Sequence, residues 1–264
     1  MTIGPDTYKA IHGEHLEVNG IELYYEIYGK GTPLVLIHGG GSTIQTSFTR
    51  IMPRLAEDFL VIAMDLANHG RSGHRQAPGN FQQDADDVAA LLLKLGFPRA
   101  HYFGFSNGGH AAIELALRHP HLIDKLVLAS SPVKRSGFMP GFFEGMQHAS
   151  LDNMPSVLKE AFLDVNPDPA LLQHMFDQDS QRMRHFEDWT EDQIRSIQCP
   201  VLLVNGDRDI ITHEHAVEMH RLIPNSRLLI LPAGHGSYMG ELSSRDQGDQ
   251  SSLFLPLLTG FLHS

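Results

Sequence analysis

The sequence predicts an α/β fold: a mostly parallel eight-stranded sheet with an antiparallel start, helices on both faces and a helical insertion. Three observations carry this. An Asn19-Gly20 pair separates two strand-like segments near the start. Six short apolar runs then alternate with helical patterns. Residues 132–198, rich in Phe and Met, interrupt that alternation without any strand-like run.

Residues 14–18 and 21–28 flank Asn19-Gly20, and a type I′ hairpin turn needs two residues that tolerate positive φ. Ile21, Leu23, Tyr25 and Ile27 alternate with Glu22, Tyr24, Glu26 and Tyr28, the period of a half-buried strand. The later runs at residues 33–37, 59–64, 102–105, 123–129, 201–204 and 227–231 are largely apolar on both faces, as parallel strands covered on both sides require. Between them, Phe81, Ala85, Val88, Leu92 and Leu95 recur at helical spacing. Asn80 caps that helix with Gln83 at its third position, and Gly96 followed by Pro98 ends it.

Residues 132–198 read as several short helices lying over the strand ends, one of them starting at Thr190 with Gln193 three residues on. The expected organisation is a core of residues 1–131 and 199–264 with a helical lid of residues 132–198. Its Phe and Met residues suit a substrate lid, a ligand pocket or plain packing. The polar stretch at residues 241–252 reads as a surface loop.

A chain of 264 residues suits one large core with an accessory lid. Its 31 acidic against 20 basic residues give a net charge of −11, which repels phosphate backbones and anionic lipid and argues against nucleic-acid or membrane partners. Cys199 is the sole cysteine, so no internal disulfide forms. Residues 1–20 lack the continuous apolar run of a signal peptide. The most apolar stretch, residues 253–262, is interrupted by Pro256 and Gly260 and is too short for a bilayer of about 30 Å. A cytoplasmic location is expected.

The chemistry-bearing motif is Gly104-Phe105-Ser106-Asn107-Gly108. It stands where a strand run meets a helical one, and a G-x-S-x-G turn there holds a nucleophile in a sharp, strained bend with glycines removing the colliding side chains. Ser106 then sits at a helix N-terminus, where free N–H groups favour developing negative charge. Past the run at 201–204 the turn offers two carboxylates, Asp207 and Asp209. His235 differs from the other histidines among the 17 in lying on a glycine-flanked loop after the last strand run. His213, His215 and His220 share a probable helix without a ligand spacing such as i, i+4, so no metal is expected.

With these segments in order, His38-Gly39-Gly40-Gly41, residues 65–73 (DLANHGRSG), the Ser106 elbow, residues 205–209 (NGDRD) and Gly234-His235, the chain resembles the α/β-hydrolase family over nearly its whole length. The resemblance implies a Ser106–His235–Asp209 triad, with the acid three residues beyond Gly206 and Asp207 left as a turn residue bonding local backbone. It implies an oxyanion hole from the N–H groups of Gly40 and Asn107, and a structural part for Asp65, His69 and Arg71. No cofactor is implied. The expected partner is a small-molecule substrate, an uncharged acyl ester, and the expected reaction is hydrolysis of an ester, thioester, lactone or carbon–carbon bond through an acyl-enzyme. Acyl transfer or perhydrolysis on the same triad, and a ligand receptor with little turnover, are the rival readings.

Overall fold

The computed structural model describes residues 12–247 and 249–264. Strands β1 (His12–Val18), β2 (Ile21–Gly29), β3 (Thr32–Ile37), β4 (Phe59–Met64), β5 (Ala100–Phe105), β6 (Ile123–Ala129), β7 (Val201–Arg208) and β8 (Ser226–Gly234) form one sheet. Its order is β1-β2-β4-β3-β5-β6-β7-β8, antiparallel across β1–β2 and β2–β4 and parallel thereafter. The hairpin closes where the sequence places it. Val18 pairs with Ile21 across Asn19 and Gly20, both with positive φ (49° and 78°).

Alternation along the central strands feeds two cores, one per sheet face. Val35 and Ile37 of β3 and Tyr102 of β5 join one; Leu34, Leu36, Phe103 and Phe105 join the other. The first is covered by α3 (Phe81–Lys94), α4 (Asn107–Arg118) and α9 (His213–Leu222), the second by α1 (Ile44–Phe48), α2 (Met52–Asp58) and α10 (Ser251–His263). The predicted punctuation of α3 is present. Asn80 Oδ1 accepts from Gln83 N at 2.7 Å, and Gly96 (φ 84°) turns the chain out of the helix.

Between β6 and β7 the chain runs through α5 (Phe142–Gln147), α6 (Ser156–Val165), α7 (Pro169–Arg184) and α8 (Glu191–Arg195). Phe162, Leu172 and Met175 form a small core of their own. Phe138, Met183, Phe186 and Trp189 instead bury into the main core. A polar face of α7 docks on the loops after β4, with His174 Nε2 2.9 Å from Arg75 O and Gln178 Oε1 accepting from Gly79 N at 2.7 Å.

One expectation is corrected at the C-terminal end. Residues 241–252 are not wholly a surface loop: Glu241 and Ser244 are buried, Glu241 N donates to Gly236 O at 3.1 Å, Leu242–Gln247 form 3-10 turns and α10 already starts at Ser251, while residue 248 lies outside the described residues. Polar composition misleads there because the Ser244 hydroxyl turns inward onto His235 O and the Glu241 carboxylate accepts from Ser243 N. The apolar run at 253–262 continues as helix through Pro256, burying Phe254, Leu258 and Phe261. Among the described residues no helix is long and apolar enough to cross a membrane.

A tight backbone approach lies where β5 turns into α4. A Cβ on Gly108 would stand 2.2 Å from Ile37 O, and one on Gly104 2.4 Å from Gly108 O. A Cβ on Gly145 in α5 meets nothing within 4 Å. Gly108→Ala should therefore lower Tm by about 5–10 °C in calorimetry, the scale of overpacking in a chain of this size. Gly145→Ala should leave Tm unchanged or raise it slightly. Equal shifts for the two would remove the constraint.

Candidate active site

Five positions of interest follow the carboxyl ends of parallel strands: Gly40 after β3, Ser106 after β5, Ser130 after β6, Asp209 after β7 and His235 in the turn that closes β8. Ligand sites of open α/β sheets lie at that edge. Ser106 has φ 53° and ψ −121°, a region costly for a non-glycine residue. The bend is held from both sides. Ser106 N donates to Ala129 O at 2.8 Å, and Ser106 O accepts from Gly109 N and His110 N in the first turn of α4.

The bend aims Ser106 at His235, whose Nε2 lies 3.2 Å from Ser106 Oγ. His235 Nδ1 lies 2.7 Å from Asp209 Oδ1. The other carboxylate oxygen of Asp209 accepts from Ser130 Oγ at 2.5 Å and from Gly206 N at 3.3 Å, and Ser130 Oγ is 2.7 Å from the buried Tyr238 hydroxyl. Burial pushes the Asp209 carboxyl up, but His235, Ser130 and Gly206 together hold it below its ordinary range. Burial pushes the His235 imidazole down, yet the charge and hydrogen bond of Asp209 outweigh it and the pKa is raised.

Asp207 takes a different path. Its Oδ1 accepts from Ala233 N at 2.9 Å, tying the ends of β7 and β8 together. It bonds backbone, but across the sheet to a residue 26 positions on rather than within its own turn.

Gly40 and Asn107 meet beside Ser106. A Cβ on Gly40 would fall 2.4 Å from Asn107 Nδ2. Among the described residues no acceptor takes the backbone N–H of either. Behind this loop His38 Nδ1 donates to Gly39 O and its Nε2 accepts from Leu66 N at 2.9 Å; burial and the nearby His69 push its pKa down to about 3, keeping it neutral. The loop, Ser106 and Asn107 form one end of a cavity of about 270 Å³. Its remaining wall is mostly apolar and includes Phe138, Phe142, Met146, Met154, Phe176 and Met183.

A family model described as the α/β hydrolase fold matches residues 32–166. The chain belongs to the α/β-hydrolase fold family. It is 30% identical over 273 residues to the dihydrolipoyllysine-residue acetyltransferase component of an acetoin cleaving system from Pseudomonas putida, covering 95% of this chain and 70% of that protein. Among solved structures it is similar to a serine hydrolase involved in carbazole degradation, with TM-score 0.79, 22% identity and 96% and 98% of the two chains covered. It is also similar to Est816, described as an N-acyl homoserine lactone degrading enzyme, with TM-score 0.72, 27% identity and 94% and 100% covered.

For this α/β hydrolase the residues singled out in the sequence converge on one place: Ser106, His235 and Asp209 as a hydrogen-bonded chain, with Gly40 and Asn107 beside them. Asp65 keeps the structural part the resemblance gave it, accepting from Ile44 N, Arg71 N and Arg71 Nη1. The three helical histidines disperse: His213 faces Asp207 O, His215 lies between Val133 N and Glu218, and His220 meets Ser226. Among the described residues no group of three or more His, Cys, Asp or Glu side chains is placed to hold a metal ion.

Sequence reasoning missed Ser130, Tyr238 and Asp179. For Ser130 a signal existed, a hydroxyl directly after an apolar strand run. For Asp179, on α7, none did.

The balance at His235 is open to measurement. Its imidazole resonances should titrate above the ordinary value of about 6.5 in the parent protein. In Asp209→Asn they should titrate below that value, because burial then acts without the compensating charge. A midpoint that does not move would separate Asp209 from His235 electrostatically.

Proposed function

We propose that this α/β hydrolase cleaves an ester-type acyl bond through Ser106 as nucleophile, His235 as general base and Asp209 as the acid that orients it. One observation carries the reading: the unbroken contact Ser106 Oγ to His235 Nε2 (3.2 Å) and His235 Nδ1 to Asp209 Oδ1 (2.7 Å), opening onto an apolar cavity. His235 takes the serine proton, Ser106 attacks the carbonyl carbon, and the Gly40 and Asn107 N–H groups receive the developing oxyanion. The alcohol then leaves with a proton from His235, and water activated by the same imidazole releases the acid.

Residues 132–198 act as the cap in this reading and set specificity. The cavity is small and its wall largely apolar, which supports a short to medium uncharged acyl group, since each buried methylene contributes about 0.8 kcal/mol and an unpaired buried charge is costly. Esters and lactones suit it, and the likeness to a lactone-degrading enzyme supports the latter. Acyl transfer is the second reading, favoured by the acetyltransferase relative. Turnover that rises with an added thiol or alcohol, with the acyl group recovered on it, would select that reading.

A fluorophosphonate probe should label the chain once, and Ser106→Ala should abolish both labelling and esterase activity. Persistent labelling at Ser130 or Ser131 would move the nucleophile. Asp209→Asn should lower kcat by a factor of about 10⁴, following the triad precedent, and Asp207→Asn far less. Across acetyl, butyryl and hexanoyl esters kcat/KM should vary with chain length, and for each it should fall as pH drops through the raised His235 pKa, because only the neutral imidazole accepts the proton. A chain-length profile that stays flat would mean the cavity wall does not contact the acyl group.

A further inference from the structure

Asp179 joins the inserted helices to the loop that carries Gly40. It lies on α7, yet its Oδ2 accepts from Gly41 N at 2.7 Å and is 3.0 Å from His69 Nε2. Its Oδ1 pairs with Arg182 Nη2, and Arg182 Nη1 reaches Asp84 Oδ2 on α3 at 2.5 Å. Asp84 and Arg182 side chains are each 7% exposed and that of Asp179 is 14% exposed. His69, pushed down by burial, is raised overall by the Asp179 charge. Two carboxylates thus face one guanidinium and one imidazole in a nearly dry layer between α7 and the core.

Such a layer is poor evidence for stability, because desolvating the charges offsets most of their attraction and apolar packing would serve as well. Apolar packing would not supply the short acceptor for Gly41 N–H: the carboxylate lies at 2.7 Å, and the other contact of that N–H, to His69 Nε2, is longer at 3.3 Å and accepts only when that nitrogen carries no proton. Gly41 has φ 66°, and a Cβ on Gly40 would stand 2.9 Å from Asp179 Oδ2, so the carboxylate lies against both glycines. Fixing the Gly40–Gly41 peptide plane removes most of the freedom of an all-glycine segment that lines the cavity beside Ser106. We propose that Asp179 is a positioning residue: reaching across from the inserted helices, it holds the Gly40–Gly41 backbone in the shape that stabilises the oxyanion, so that the loop is set only when α7 is docked. This rests on the Ser106 mechanism proposed above.

The acceptor can be separated from the charge. Asp179→Asn keeps an oxygen for Gly41 N–H and loses the ion pair, whereas Asp179→Leu has a similar shape and supplies no acceptor, leaving only the longer contact to His69 Nε2. With the full chain and a short-chain activated ester, well below the Tm of each variant, Asp179→Leu should lower kcat about 10- to 100-fold with KM within about threefold, somewhat less than loss of a donor outright. Asp179→Asn should recover most of that rate. Affinity for a trifluoromethyl ketone, which forms a tetrahedral oxyanion on Ser106, should fall in step with kcat; affinity for the corresponding secondary alcohol should not. Wild-type kcat in Asp179→Leu, or equal losses in the Leu and Asn variants, would overturn the inference. Ser106→Ala in the same assay keeps the two claims apart. If that variant still turns over, the mechanism itself fails; if it is dead while Asp179→Leu runs at the parent rate, only the inference fails.

Discussion

The site depends on one steric constraint, the crossing of the β5–α4 turn over the end of β3. Gly108 lies so close to Ile37 O that no side chain fits, and Gly104 and Gly108 face each other across the bend with the same tightness. That contact forces Ser106 into φ 53°, and the strain is held by hydrogen bonds on both sides of the residue, to Ala129 O and from the first turn of α4. It also sets Asn107 beside the Gly39–Gly41 loop, its side-chain amide closest to Gly40, because the loop leaves β3 at the point where α4 crosses. Ser106, the helix N-terminus and the loop are therefore placed by a single packing event rather than by three independent ones.

Electrostatics then acts on what the crossing has placed. Desolvation is the largest influence on both His235 and Asp209, and it disfavours the charged form of each. Their mutual contact reverses the sign at both residues, aided at Asp209 by Ser130 Oγ and Gly206 N. A histidine whose pKa is raised by a partner carboxylate is readily protonated, which a base that must later return its proton requires. The Asp179 layer obeys the same rule: charges leave water only in compensated groups, so the wall of the cavity carries little net charge despite the −11 of the whole chain.

Legibility in the sequence followed the range of the interaction. The Asn19-Gly20 hairpin, the Asn80 cap, the Thr190–Gln193 capping box and the elbow were readable because each is decided within a few residues. The mostly parallel sheet with its antiparallel start followed from the alternating runs and the resemblance, and the strand order did not. Contacts decided by the third dimension were not readable. Asp207 bonds Ala233 rather than its own turn, Glu241 is buried despite polar neighbours, and Asp179 finds Gly41 across 138 positions of chain. No periodicity marks such pairs, since a single side chain on a helix of mixed polarity gives no local signal.

The end of β6 is where those ranges meet. Ser130 follows a buried strand run in the left-handed region and supplies a hydroxyl, not a carboxylate. Because β7 neighbours β6, that hydroxyl reaches Asp209 and with Tyr238 fills the space behind it. A second carboxylate there would lie within a hydrogen bond of Asp209, and two like charges in a buried site raise one pKa sharply. A hydroxyl pair does the opposite: it donates to the charged acid and leaves Asp209 free to face His235 with its other oxygen. The identity of the residue after β6 is thus fixed by the acid's position after β7, a dependence across the sheet between residues 79 positions apart.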